Sequence, residues 1–182
     1  MTSRQASAAR TRAALIDGGL RLAERVGLTG LSVNLLVEEL GVSKGTFFHH
    51  FGDRTSYLLA LHRQFHDRLL GEIDARIAGM APGRQRILTA SEGYLDVCLR
   101  DRGVRALLLE ARADPRIAEE VGARNASSAA LLEPDFAAMG WTHPLDSARL
   151  WVAAVAEAAL LELAAGDRQP TVRAALGDYL RR

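Results

Sequence analysis

Apolar positions recur at helical spacing along most of this 182-residue chain, and glycine or proline marks the breaks between them. From about Ser7 to Arg25, one apolar side is built by Ala14, Leu15, Leu20, Leu22 and Ala23; Val26 extends it and Gly27 ends it. Gly18 and Gly19 lower the helix propensity of this segment, so tertiary packing is expected to hold it. Ser32 then stands in an N-cap position, with Leu31 and Leu36 flanking it as a hydrophobic staple. The second helix continues through Leu35, Val37 and Leu40 to Gly41. Val42, Ser43 and Phe47 repeat the same arrangement at once, which predicts a short third helix from Ser43 to about His50. Two capped helices separated by a tight glycine turn have helix-turn-helix geometry.

Gly52 and Asp53 supply the next break and cap. A fourth helix is predicted to about Ile77, with Tyr57, Leu58, Leu61, Phe65, Leu69 and Ile73 on its inner side. Further helices are predicted over about 84–100, 103–113 and 115–132. Residues 134–144 read as irregular or partly helical, 145–165 as a strongly apolar, alanine-rich helix, and 171–180 as the last helix. All five prolines fall near these proposed boundaries, and β-branched runs are scarce. The expected fold is therefore all-α: an N-terminal three-helix helix-turn-helix domain over 1–55, followed by a helical domain over 56–182.

Composition adds little until charge is placed along the chain. The net charge is +1, but residues 1–55 carry seven Lys or Arg against five Asp or Glu, while the remainder is slightly acidic. This fits a nucleic-acid-contacting module joined to a domain with another partner. No window approaches a membrane span, and the basic N-terminus is not followed by a secretory apolar region. The single cysteine, Cys98, leaves no intrachain disulfide framework, so a cytoplasmic protein is expected. No converging nucleophile and base is visible, and an enzyme is not expected.

The third helix carries the chemistry. Its first turn holds Ser43, Lys44, Gly45 and Thr46. Lys44 can neutralise a phosphate, Gly45 allows close approach to a duplex, and Thr46 can donate a hydrogen bond or set its methyl against thymine. His49 can reach phosphate or a base edge, and Arg54 has the charge and reach for a backbone contact. The competing account makes Lys44 and Arg54 solvated charges and Ser43 only a cap. Arg4, Arg10 and Arg12 read as a disordered arm that contacts phosphate or a minor groove, or as a frayed terminus.

The run SVNLLVEELGVSKGTFFHHFGDRTSYLLAL resembles the N-terminal signature of the TetR family of bacterial transcriptional regulators, over roughly residues 10–60. The resemblance implies that Ser43 to about His50 is the recognition helix and that Ser32 contacts phosphate. It further implies that Lys44 and Thr46 touch phosphate or base, and that Arg54 closes onto the backbone. Three positions depart from the pattern: Phe48 and His50 replace frequent tyrosines, and Thr55 replaces a frequent acid.

A two-fold dimer on palindromic double-stranded operator DNA is then expected. Its surface would come from Leu150, Ala154, Ala158 and Leu161 with Val172, Leu176 and Tyr179. The resemblance also implies a small apolar or aromatic effector, with Tyr94, Cys98, Asn125, Trp141 and Trp151 as lining candidates; core packing is the competing account for each. His62 and His66 share a helical face but lack a third ligand, so neither metal nor cofactor is expected. Repression relieved by the effector is the expected activity, with activation or effector-independent regulation as the alternative.

Overall fold

In the computed structural model, residues 3–181 are described. The elements are α1 (Ser3–Gly30), α2 (Val33–Glu39), α3 (Lys44–Phe51), α4 (Arg54–Ile77), α5 (Arg84–Arg100) and α6 (Arg102–Glu110). A 3-10 turn at Ala111–Ala113 leads into α7 (Pro115–Ala138), α8 (Pro144–Ala165) and α9 (Pro170–Tyr179). The fold is all-α, as the periodicity required.

Two boundaries differ from the sequence reading. First, α1 begins at Ser3, so Arg10 and Arg12 sit on a helix and not on a disordered arm; the side chain of Arg4 lies outside the described residues. It reaches Gly30 by bending at Gly27, whose φ of 62° is open to glycine. Second, α7 runs through Pro134, which is thus inside a helix and not at a boundary. Proline removes one helical donor there. Tertiary bonds hold that turn: Arg86 donates to the Leu131 carbonyl at 3.2 Å and pairs with Asp135 at 2.9 Å, while Asp135 accepts from the Gly83 amide at 2.8 Å.

The chain forms two compact units, one running to Asp67 and taking in Asp101–Ala118, the other joining Arg68–Arg100 to the segment from Glu119 onward. In the first unit, Leu15, Leu22, Leu36, Phe47 and Leu61 are buried. The two glycines that weaken α1 have packing reasons. A Cβ at Gly18 would lie 2.5 Å from Leu40, and one at Gly19 would collide with the Tyr57 hydroxyl. That hydroxyl donates to the Leu15 carbonyl at 2.8 Å, and burial pushes its pKa up. Helix α1 also lies directly on α6. A Cβ at Gly103 would fall 2.5 Å from the Glu24 Cα, and the Glu24 carboxylate accepts from the Gly103 and Val104 amides at 3.0 and 3.1 Å. Glu24 thus caps a helix that has no acid in its own first turn.

In the second unit, α8 packs on α5 and α9. Trp151 is buried and donates through Nε1 to Ser91 Oγ at 3.0 Å; the Ser91 hydroxyl in turn donates a hydrogen bond to the Ile87 carbonyl at 2.8 Å. A chain of charges ties α9 to α8, α5 and the end of α4. Arg173 grips both Glu162 oxygens at 2.7 and 2.8 Å and Asp96 at 2.7 Å, and Asp96 also meets Arg76 at 2.9 Å. Burial by itself would raise the Glu162 and Asp96 carboxyls, but hydrogen bonds from Arg173, with the Gln169 amide and Arg76 respectively, leave both below their usual values.

Candidate nucleic-acid interface

Ser32 and Ser43 open consecutive helices in the same way. Each has extended backbone, and each side chain accepts from the amide three residues on, Leu35 and Thr46, at 3.1 Å. The Thr46 hydroxyl lies 2.9 Å from Ser43 Oγ, and the residue is half-buried. The hydroxyl that sequence reading offered to a base is therefore engaged at the helix cap. Ser43→Ala should lower stability by about 1 kcal/mol, measured by thermal unfolding; an unchanged midpoint would show that water replaces the cap at no cost.

With the cap formed, α3 divides cleanly. Phe47 and Phe51 are buried, with ring centroids 5.3 Å apart, and both meet Tyr57 edge-on. Lys44, Gly45, Phe48 and His49 are exposed; the spacing i, i+1, i+4, i+5 puts them on one side of the helix. His50 turns partly inward, its ring 6.3 Å from that of Phe51.

Residues from neighbouring helices frame this face. Arg54 donates to the Leu31 carbonyl at 3.3 Å, and Leu31, Ser32, Leu36, Arg54 and Tyr57 line one shallow hollow. The fold thus brings Ser32 and Arg54 together, two of the residues expected to touch phosphate. Arg12, exposed on α1, places its guanidinium carbon 5.1 Å from the centre of the Phe51 ring, a cation–π contact. Local periodicity carries no sign of that pairing. Nor does it show what Thr55 does: its hydroxyl donates to Asp114 at 2.9 Å, and Arg116 reaches Asp53 at 3.4 Å. The Ser56 amide and then Arg116 hold the Asp53 carboxyl below its usual range, and Thr55 followed by the Arg116 amide does so for Asp114. The hydroxyl at position 55 therefore ties the start of α4 to the turn before α7.

The remaining sequence candidates fall in varied settings. Cys98 and Trp151 are buried, Tyr94 and Trp141 half-buried, and Asn125 stays exposed on α7. Trp141 and Trp151 both flank Phe136, at 5.2 and 6.5 Å between ring centres. The rings of His62 and His66 lie 4.3 Å apart between centroids, tilted by 40°, with His62 buried, and no group of three or more potential metal ligands gathers among the described residues. Of the proposed dimer face, Leu150, Leu161 and Tyr179 are 74, 47 and 72 % exposed, and Ala154 and Val172 are half-buried. Ala158 and Leu176 are packed inside the unit and leave that set. No described helix is long and apolar enough to cross a membrane.

The family profile described as "Bacterial regulatory proteins, tetR family" matches residues 15–61, the segment that contains this face. The HTH-type transcriptional repressor AcnR of Corynebacterium glutamicum is 39 % identical over 54 residues, 30 % of this chain and 29 % of that protein. Its counterpart in Corynebacterium diphtheriae is 38 % identical over 53 residues, 29 % of this chain and 28 % of the relative. The match thus spans less than a third of these relatives' length. Solved structures extend the likeness of fold to nearly the whole chain. A transcriptional regulator from Rhodococcus sp. superposes with a TM-score of 0.77 at 22 % identity, covering 93 % of both chains. A TetR-family regulator from Pectobacterium atrosepticum gives 0.74 at 19 %, covering 99 % of this chain and 94 % of that one. Reduced NemR of E. coli gives 0.71 at 18 %, covering 94 and 96 %.

Proposed function

We propose that the chain, whose residues 15–61 match the tetR-family profile, is a regulator of that family: a homodimeric repressor released from a palindromic operator by a small molecule. The observation that carries the DNA half of this reading is the exposed side of α3, a capped helix with Lys44 at its first position. Its partial positive end and its lysine favour a phosphate, and its inner side is locked by Phe47 and Phe51. Arg12, Ser32 and Arg54 add polar or cationic groups on the flanking helices.

The dimer half rests on α8 and α9, where Leu150, Leu161 and Tyr179 are exposed. Large apolar side chains of this kind suit burial against a second copy. An effector would be apolar or aromatic, held near Tyr94, Cys98, Trp141 and Trp151 of the second unit. It would act by favouring a dimer whose recognition helices no longer match the half-site spacing.

A fluorescence titration of labelled duplexes at several salt concentrations tests the reading. The protein should prefer one palindromic sequence. Lys44→Ala should flatten the dependence of log affinity on log salt by about 0.9 for each phosphate that a subunit no longer neutralises. Equal affinity for every duplex at every salt concentration would sink the claim of a specific regulator.

A further inference from the structure

Helices α4 and α7 begin side by side, and each lends its second residue to the cap of the other. Asp53 accepts from the Ser56 amide at 2.6 Å where α4 starts, and Asp114 accepts from the Arg116 amide at 2.9 Å where α7 starts. Across the gap, the Thr55 hydroxyl donates to the other oxygen of Asp114 at 2.9 Å. The Arg116 guanidinium reaches both oxygens of Asp53, at 3.4 and 3.5 Å. Two positive helix ends are thus brought together, and each is met by a carboxylate. The two bridges are unequal. The side chains of Arg116 and Asp53 are 52 and 55 % exposed, so their pair contributes little in water. The bond from Thr55 to Asp114 is partly buried and carries the contact.

That contact reaches α3 through a short rigid path. Only Gly52 and Asp53 separate α3 from α4. Tyr57, in the first turn of α4, sets its ring 5.0 and 4.8 Å from those of Phe47 and Phe51, the buried side of α3. Helix α3 and the first turn of α4 therefore form one packed piece, whose tilt follows whatever holds that turn. The chemistry at position 55 is specific. A carboxylate there, the group that the sequence pattern favours, would face Asp114 with no proton to share.

We propose that Thr55 is a positioning residue for DNA binding, fixing the tilt of α3 through its hydrogen bond to Asp114 at the start of α7. The inference rests on the DNA-binding reading above and adds a determinant of affinity that lies off the contact face.

The test uses the full-length protein and a duplex that it selects from a random-sequence pool, with the active protein concentration fixed by stoichiometric titration. Thr55→Val keeps the shape and removes the donor. It should bind roughly tenfold more weakly, the value of one hydrogen bond to a charged group. The slope of log affinity against log salt should keep its wild-type value, since no phosphate contact is lost. Thr55→Ser should bind as wild type. Thr55→Glu should lose more than Thr55→Val, and adding Asp114→Asn should restore much of the loss. Asparagine caps α7 with its oxygen and offers its amide N–H to the glutamate, and the double variant has the wild-type net charge. A merely structural bond would lower the unfolding midpoint of Thr55→Val and leave the affinity of the folded protein unchanged. That result, a flattened salt slope, or wild-type binding by Thr55→Glu would each overturn the positioning role alone. If no duplex is selected, the DNA-reading premise falls, and the role assigned to Thr55 falls with it.

Discussion

Arg173→Ala is expected to cost about 3–5 kcal/mol of stability, because it strands a buried carboxylate. The Glu162 side chain is 1 % exposed and that of Arg173 is 7 % exposed. Three guanidinium nitrogens are committed, two to Glu162 and one to Asp96. The arrangement need not be a large net gain over a well-packed apolar core, but removing one partner leaves the other without compensation. Denaturant unfolding at neutral pH measures the loss, and a change under about 1 kcal/mol would show that Glu162 is re-solvated or neutralised at no cost. The double replacement Glu162→Leu with Arg173→Met should recover part of the loss.

The sign of the pH dependence follows from the same groups. Glu162 and Asp96 have folded-state pKa values below their ordinary 4.5 and 3.8. Their contribution is therefore present above those values and is lost as pH falls through the lower, folded ones. In Arg173→Ala the isolated Glu162 favours its neutral form, so the gap between variant and wild type should narrow on acidification.

Gly103→Val is the second large effect, and its cause is steric. The first added atom would overlap Glu24 Cα, which is backbone and cannot rotate away. Helices α1 and α6 must separate, and the two amide bonds to Glu24 stretch with them. Overpacking of this kind costs about 1–3 kcal/mol, and loss of the cap adds about 1 kcal/mol. Thermal unfolding followed by circular dichroism should show a clear drop in midpoint, with a smaller one for Glu24→Gln. A wild-type midpoint for Gly103→Val would mean that the α1–α6 packing is slack.

Local signals made much of the first unit legible. Ser32 and Ser43 are caps in both sequence and structure, because capping depends on residues three positions apart. The buried sides of α2, α3 and α4 follow from apolar spacing for the same reason. What escaped depends on distant partners. Glu24 reads as one more surface acid of an amphipathic helix until α6 lies beside it. Thr55 reads as a departure from an expected acid until Asp114 is placed next to it. The end of α7 is illegible because proline disfavours a helix interior, and the bonds that anchor that turn come from distant Arg86 and Gly83. Ala158 and Leu176 belong to a real apolar stripe, but a stripe does not say which members face inward. The pairing of Glu162 with Arg173 had one faint sign, an acid at a buried position in an alanine-rich run.

The pair of tryptophans around Phe136 has an optical consequence. The chain's two tryptophans, Trp141 and Trp151, both lie in the second unit, and α1, α2 and α3 contain none. Indole emission is thus a reporter of one half of the molecule. It will register loosening around Ser91 and Phe136 while remaining blind to α2 and α3, whose unfolding shows only in backbone circular dichroism. Recording both signals through a single denaturant series turns the placement of two side chains into a test of whether the chain melts as one cooperative body or as two.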